Sequence, residues 1–212
     1  MALDKIGNSG TGGVSKLVSF EELSDHQLID ATKSGDEKAF GEIMKRYRNP
    51  LTNYLYRMLN DYEEAVDLAQ ESFVRVYLAI DRYHSDYAFS TYIYRIASNL
   101  AISEIRKRKR RKVFSLTGLY QYEGDEEKEF QPADEKPLPE ENLIGDEKLE
   151  LIEKSIAALP EKYRIPIILR EIEEKTYEEI AEILELGLGT TKSRISRGRG
   201  LLRDKMAEYF DR

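Results

Sequence analysis

Apolar residues recur at steps of three and four along most of this 212-residue chain, which is the pattern of amphipathic helices. The longest such stripe follows Asp36, and Pro50 inside it is expected to kink or interrupt the helix because proline lacks an amide donor. The alternation of apolar and polar residues that marks a half-buried strand does not extend over a useful length. The sequence therefore predicts an all-α fold, with two small helical domains joined by a flexible acidic linker.

Four helices are predicted in the first domain, which covers residues 23–112. Ser24 and Gln27 have the spacing of a capping box at the start of the first helix. The long apolar stripe forms the second helix, the third begins near Tyr62, and the fourth begins near Ser90. Short links between these helices favour packing into one bundle.

A helix-turn-helix is predicted in the second domain. Thr176 and Glu179 have capping-box spacing, and two glycines after Leu184 end the first helix. Thr190 can cap a second helix that reaches about Lys205 and carries six cationic residues against one acidic residue. This geometry presents a helix to the DNA major groove, although a surface helix pair with a solvated basic face has the same pattern.

Charge is strongly segregated, although the whole chain carries a net charge of −7. Residues 106–112 are seven consecutive cations. Between residues 121 and 148, eleven acidic residues and three lysines give a net charge of −8, which leaves the rest of the chain near +1. An acidic spacer thus separates two segments that each end in a basic helix, a pattern that suggests contact with nucleic acid by both domains.

Two segments lack helical periodicity. Residues 1–22 form a tail rich in glycine and serine, without the Gly-Lys-Ser/Thr ending of a phosphate-binding loop. Residues 113–148 combine acidic residues with proline and glycine, which predicts a flexible linker. The second domain then covers residues 149–212 and includes the helix-turn-helix.

Composition excludes several classes of protein. The chain has no cysteine and only two histidines, so disulfides, thiolate metal sites and histidine clusters are not expected. No apolar run approaches membrane-spanning length, and the N-terminus lacks the plan of a signal peptide. We expect a cytoplasmic protein that binds no metal or cofactor, does not insert into a membrane and is not an enzyme.

Four segments, taken in order, resemble the extracytoplasmic-function (ECF) sigma factors, which are initiation subunits of bacterial RNA polymerase. Residues 67–77 are similar to the core-polymerase-binding helix of that family, and residues 89–99 to the segment that opens and reads the −10 promoter element. Residues 159–164 resemble the usual start of the second domain, and residues 177–184 together with residues 189–194 resemble its −35-binding motif. The resemblance covers nearly all of the chain outside the tail and the linker.

The resemblance implies a set of partners. Asp67, Gln70 and Glu71 share one polar patch on the third predicted helix and would meet the basic clamp of the largest polymerase subunit, although a solvated helix face has the same pattern. The flap of the second-largest subunit, promoter DNA and an anti-sigma factor are the other expected partners. The DNA would be duplex at −35 and single-stranded at −10. An anti-sigma partner would be the means of any attachment to a membrane.

The resemblance also implies residues for the −10 element. Opening DNA requires bases to be unstacked and sheltered, and aromatic rings contribute roughly 1–3 kcal/mol per stacked base. Phe89 is more easily explained as a core residue, and Tyr92 stands where the family often has tryptophan. The candidates for −10 recognition and melting are Tyr83, His84, Ser85, Asp86, Tyr87, Tyr92, Asn99, Ser103 and Arg106.

The remaining candidate sites lie on the two basic helices. Phosphate contacts give affinity with a steep salt dependence and carry no sequence information, whereas lysine, arginine and serine side chains can read base edges. Thr191 stands where the family usually has valine, and its hydroxyl can bond back to a carbonyl oxygen. The candidates for −35 bases are Lys192, Ser193, Ser196 and Arg197, and those for phosphates are Lys107, Arg108, Arg110, Arg194 and Arg199.

The sequence leaves alternative interpretations of the acidic linker and of the protein's function. The acidic linker either threads the positive channels of the polymerase or acts as a solubilising spacer. A dimeric helix-turn-helix repressor or activator would need a self-association surface, and no heptad seam supplies one. An enzyme acting on nucleic acid would need an acid, base or metal constellation, and the acidic residues instead fall on predicted solvent faces or in the linker.

Overall fold

The computed structural model describes residues 19–83, 88–116 and 143–210, with the side chains of residues 112–116, 143–149 and 208–210 left aside. Every regular element in these ranges is helical, which confirms the all-α prediction. The helices are α1 Asp25–Lys33, α2 Glu37–Leu59, α3 Tyr62–Leu78, α4 Phe89–Leu116, α5 Leu143–Ala157, α6 Glu161–Ile167, α7 Tyr177–Ile183 and α8 Leu188–Phe210. A short 3₁₀ turn at Phe20–Glu22 precedes α1, another at Ile80–Arg82 follows α3, and a π turn at Ile168–Ile172 continues α6.

Local signals define the starts of the first helices. Ser24 and Gln27 form the predicted capping box at α1, in which each side chain bonds the other residue's backbone amide. Asp36 caps α2 by accepting a hydrogen bond from the amide of Lys38. The expected interruption of α2 is wrong, since the helix continues through Pro50. Pro50 is exposed, and packing of the α2 residues on either side of it offsets the lost hydrogen bond.

The core of the first four helices forms around α2. This helix contacts α1, α3 and α4, and its fully buried Ile43 and Leu55 lie in the same cluster as Leu28 of α1 and Val76 of α3. Burial of each such side chain contributes about 1.5–3 kcal/mol. The packing fixes α3 and α4 side by side and leaves their outer faces to solvent.

The last four helices pack around α8, which contacts α5, α6 and α7. Buried Ile167, Ile180 and Ile195 supply apolar surface from α6, α7 and α8 respectively. Residues 113–116 and 143–148 are helical, so both ends of the predicted linker belong to helices. Residues 1–18, 84–87, 117–142 and 211–212 lie outside the described part of the chain.

The two groups of helices contact each other, mainly through α4 and α7. A second contact joins α2 to α5, where Arg57 Nη2 lies 2.9 Å from Glu153 Oε1. None of the described helices is both long enough and apolar enough to cross a bilayer.

Candidate polymerase and nucleic-acid interfaces

The turn between α7 and α8 differs from prediction at one end. The capping box at α7 is as predicted, with the amide of Glu179 bonded to Thr176 Oγ1 at 3.1 Å and the amide of Thr176 bonded to Glu179 Oε2 at 2.8 Å. However, α8 begins at Leu188, so the prediction that Thr190 caps it is wrong. The amide of Thr191 bonds the carbonyl oxygen of Gly187 at 3.0 Å, which places Thr190 inside the first helical turn.

The predicted −35 residues share the outer face of α8. Lys192, Ser193, Ser196 and Arg197 are all exposed, whereas Ile195 is fully buried on the opposite face. The hydroxyl of Ser193 donates to the carbonyl oxygen of Thr190 at 2.9 Å, so it has a local partner that a base would have to replace.

The inner face of α8 holds Thr191, which is fully buried. Its hydroxyl donates to the carbonyl oxygen of Gly187 at 3.3 Å, which confirms the expected bond back to the chain. The polar atom that replaces a valine methyl is thereby satisfied within the first turn, and the apolar packing of α8 against the rest of the domain is kept.

Some of the predicted phosphate contacts are already paired with a carboxylate. Arg199 Nη2 lies 2.8 Å from Glu171 Oε1, and Lys107 Nζ lies 3.1 Å from Glu104 Oε2. Arg110 is exposed near the end of α4, and Arg194 is half-buried on α8.

Arg108 is the most heavily paired of the predicted phosphate contacts. Its guanidinium lies 3.0 Å from Asp61, 3.6 Å from Glu64 and 3.5 Å from Glu104. It therefore ties α4 to the start of α3, and the predicted phosphate contact would require these carboxylates to release it.

The predicted −10 residues Asn99, Ser103 and Arg106 are exposed along one face of α4. Arg95 precedes them by one turn on the same face, and sequence reasoning missed it. Its spacing of four from Asn99 was the signal that could have identified it.

The aromatic residues near the start of α4 form a cluster. Phe89 is 1% exposed, which confirms its place in the core, and Tyr83 is also buried, at 6% exposed. The ring of Tyr83 lies 5.1 Å from that of partly exposed Tyr92 and 5.9 Å from that of Phe89. Burial raises the pKa of Tyr83, with the charge of Asp25 as a smaller cause. Tyr83 is thus placed to support Tyr92 from beneath, whereas His84, Ser85, Asp86 and Tyr87 lie outside the described residues.

The outer side of α3 carries the predicted polymerase-binding patch. Asp67, Gln70 and Glu71 are all exposed, and Glu71 forms an ion pair of 2.5 Å with Arg75 in the next turn. Their common exposure on one helix leaves them available to a partner.

An apolar groove of about 970 Å³ lies between α2 and α3, next to this patch. Gln70 lines it together with Met44, Val74 and Tyr77, which are 41%, 56% and 44% exposed. Sequence reasoning missed the groove. The signal was Val74 followed at four residues by Leu78, an apolar pair outside the buried stripe of α3.

Sequence comparison matches both halves of the chain to known families. Residues 43–111 match the family "Sigma-70 region 2", and residues 149–202 match "Sigma-70, region 4". The ECF RNA polymerase sigma factor SigW of Bacillus subtilis is 38% identical over 192 residues, covering 88% of this chain and 99% of that protein. The ECF RNA polymerase sigma-E factor of Escherichia coli K12 is 33% identical over 192 residues, covering 91% and 99% respectively.

Solved structures show the same fold. The sigma factor RpoE of Bartonella quintana, in complex with the anti-sigma factor NepR, has a TM-score of 0.62 at 24% identity and covers 80% of this chain and 98% of its own. CnrH in complex with the cytosolic domain of CnrY has a TM-score of 0.60 at 20% identity, covering 88% and 97%. Since two family matches and full-length relatives above 30% identity agree, this chain belongs to the ECF family of RNA polymerase sigma factors.

Proposed function

We propose that this sigma factor joins core RNA polymerase through α3, reads and helps to open the −10 element with α4, and reads the −35 element with α8. The observation that carries the proposal is the pair of exposed polar and cationic faces on α4 and α8, each backed by buried apolar residues. One face lies in the region 2 match and the other in the region 4 match.

Core binding is assigned to the exposed patch of Asp67, Gln70 and Glu71 and to the apolar groove beside it. The carboxylates suit the basic clamp of the largest polymerase subunit, where complementary charge sets orientation and association rate. The exposed apolar surface of Val74 and Leu78 would be buried at the centre of that contact and supply affinity. The flap of the second-largest subunit is the proposed partner of the C-terminal helices.

The −10 element is assigned to α4 and the aromatic cluster at its start. Asn99, Ser103 and Arg106 present an amide, a hydroxyl and a cation along one exposed stripe, which suits contacts to an unpaired strand. Tyr92 offers a partly exposed ring, held from beneath by Tyr83. Arg110 follows on the cationic end of the helix, where phosphate contacts would add affinity without sequence preference.

The −35 element is assigned to the outer face of α8. Lys192 and Arg197 suit the acceptor atoms of guanine in the major groove, and Ser193 and Ser196 can donate or accept. The α7–α8 turn would fix the helix relative to the duplex. Arg194 and Arg199 are assigned to the flanking backbone phosphates, which requires Glu171 to release Arg199.

An anti-sigma factor is the proposed regulator. Both structural relatives were solved in complexes, one named as containing an anti-sigma factor, and the α2–α3 groove of this chain offers a partner apolar surface. Because such a partner would cover Gln70, it would compete with core polymerase. The proposed activity places the protein in the cytoplasm with the polymerase, and any membrane attachment would come from this partner.

Reconstituted transcription tests the proposal. Purified core polymerase is given DNA of the source organism with and without this protein, and the 5′ ends of the transcripts are mapped. The proposal predicts new start sites that share paired −35 and −10 elements. Starts that appear only when another sigma factor is also present would instead make the protein a helix-turn-helix regulator that does not replace a sigma subunit.

A further inference from the structure

The first turn of α6 has no role in the function proposed so far. It belongs to residues 159–164, the segment that resembles the usual start of the family's second domain. Tyr163 lies in this turn and is half-buried. Because α6 packs against α8, a side chain in the first turn of α6 can reach the helix that carries the −35 face.

Gly198 allows a close approach of α8 to this turn. It is buried, and a Cβ atom in its place would lie 3.4 Å from the carbonyl oxygen of Tyr163. Arg197 is the preceding residue of α8 and is exposed. The approach of the two backbones therefore brings Tyr163 beside a residue that is assigned to −35 bases.

The two side chains are joined by a hydrogen bond, in which Arg197 donates to the phenolic oxygen of Tyr163. This bond is the largest cause that lowers the pKa of Tyr163, which is the direction expected when a cation donates to that oxygen. Lys162 bonds to the same side chain, and its Nζ lies 4.9 Å from the centroid of the ring. The hydroxyl of Tyr163 is thus an acceptor on the edge of the −35 face.

The bond restricts a long side chain that is otherwise exposed to solvent. A guanidinium carries several N–H donors in a planar fork, so one bond to Tyr163 leaves others for the acceptor atoms of a base. A flexible side chain that is ordered only when DNA binds weakens affinity by roughly two- to tenfold. Tyr163 reduces this penalty by holding Arg197 in place before the DNA arrives.

We propose that Tyr163 is a positioning residue for the −35 element, which holds the guanidinium of Arg197 in the orientation that reads a base edge. The inference rests on the proposed function, because orienting Arg197 has a consequence only if α8 reads the −35 bases. It extends the −35 site from α8 to the first turn of α6.

Reconstituted polymerase that carries the full-length protein tests the inference. In promoters mapped for the wild-type protein, each base pair of the −35 element is replaced in turn by the other base pairs, and formation of the open complex is measured. The base pair at which Arg197→Ala loses discrimination is the one that Arg197 reads. Tyr163→Phe removes only the hydroxyl, and it is expected to lose discrimination at that same base pair by roughly two- to tenfold.

Tyr177→Phe is the matched control. The side chain of Tyr177, at the start of α7, hydrogen bonds to Arg199, which also pairs with Glu171 at 2.8 Å. The substitution therefore makes the same chemical change in the same domain, beside a residue that is assigned to phosphates. Discrimination at the base pair read by Arg197 is expected to stay at the wild-type level.

A double variant separates positioning from a general effect on packing. If Tyr163 acts through Arg197, Tyr163→Phe has no further effect at that base pair in the Arg197→Ala protein. A loss that acts through Lys162 or through a shift of α6 would persist in that background and would weaken all −35 sequences alike.

The possible outcomes distinguish this inference from the proposed function. Wild-type discrimination in Tyr163→Phe, or a loss that persists without Arg197, would overturn the positioning role alone. Unchanged discrimination in Arg197→Ala would overturn both that role and the assignment of Arg197 to a base. Failure of the wild-type protein to direct initiation would overturn the proposed function itself.

Discussion

Gly198 of α8 lies directly against Ile167 of α6. A Cβ atom at position 198 would come within 2.6 Å of Ile167 Cγ1 and 3.4 Å of the carbonyl oxygen of Tyr163. Glycine in a helix interior is by itself destabilising relative to alanine. The structure shows that the missing side chain lets α6 and α8 pack closely, which positions the outer face of α8.

Gly198→Ala is expected to destabilise the C-terminal helices by about 1–3 kcal/mol, because Ile167 or the helix backbone must shift to make room. Gly200→Ala is the matched control. A Cβ at position 200 meets no atom within 4 Å, so alanine there should stabilise the helix by up to about 1 kcal/mol. Urea unfolding followed by circular dichroism measures both effects. A Gly198→Ala protein as stable as the Gly200→Ala protein would contradict this account of the packing.

Ser98→Ala is expected to cost more stability than Tyr54→Phe. The hydroxyls of Tyr54 and Ser98 lie 2.7 Å apart in the core, and the hydroxyl of Ser98 lies 2.6 Å from the carbonyl oxygen of Tyr94. Alanine at 98 removes this partner from the fully buried Tyr54 hydroxyl, at a cost of about 1–3 kcal/mol. Phenylalanine at 54 costs less because the hydroxyl of Ser98 keeps its hydrogen bond to the carbonyl oxygen of Tyr94. Measured unfolding free energies of the two variants test this expectation. A larger loss of stability in Tyr54→Phe than in Ser98→Ala would contradict the hydrogen bonds assigned to Tyr54, Ser98 and Tyr94.

Glu173 should make stability depend on pH. Burial raises the pKa of this carboxyl above its ordinary value of 4.5, although Tyr94, Arg57 and Lys175 act in the opposite direction. A raised pKa means that the folded state binds the proton more tightly than the unfolded state, so this group's contribution to stability increases as pH falls towards 4.5.

The test compares the wild-type protein with Glu173→Gln, which removes the titrating group and can still hydrogen bond to Tyr94. The variant is expected to be the more stable protein near pH 8, and its advantage should shrink as pH is lowered through the folded-state pKa of Glu173. Parallel stability curves across this range would show that Glu173 titrates alike in both states.

Arg110→Ala and Arg108→Ala should have different consequences. Arg110 is exposed, so its removal should weaken DNA binding and reduce the slope of log K against log salt by up to about 1. Arg108 bonds Asp61 at 3.0 Å, so its removal should instead lower stability, by up to about 1 kcal/mol, and change the salt slope less. DNA binding titrated at several salt concentrations separates the two. An equal reduction of the salt slope in both variants would mean that Arg108 separates from its carboxylate partners when the protein binds DNA and then contacts a phosphate.

The features that sequence predicted correctly are those with local causes. The capping boxes at Ser24 and Thr176 are formed by side chains three residues from their partners. Lys192 and Arg197 were identified by the resemblance to the family, and both are exposed on one face of α8. Pro50 was expected to kink or interrupt α2, and the helix is not interrupted because packing on either side of Pro50 offsets the lost hydrogen bond. The contact of Arg95 with Glu182 joins residues 87 positions apart, so no local pattern predicts it. The same holds for Gly198, whose role depends on how closely α6 approaches.

The central claim, that α4 reads the −10 element and α8 the −35 element, is tested most directly by combining protein variants with altered promoters. Transcription by reconstituted polymerase is measured for Asn99→Ala and for the double variant Lys192→Ala/Arg197→Ala, on promoters changed in one element at a time. The account predicts that the α8 variant loses discrimination only at −35 and that the α4 variant loses it only at −10. Equal responses of both variants to both elements, or initiation that requires a second sigma factor, would contradict it.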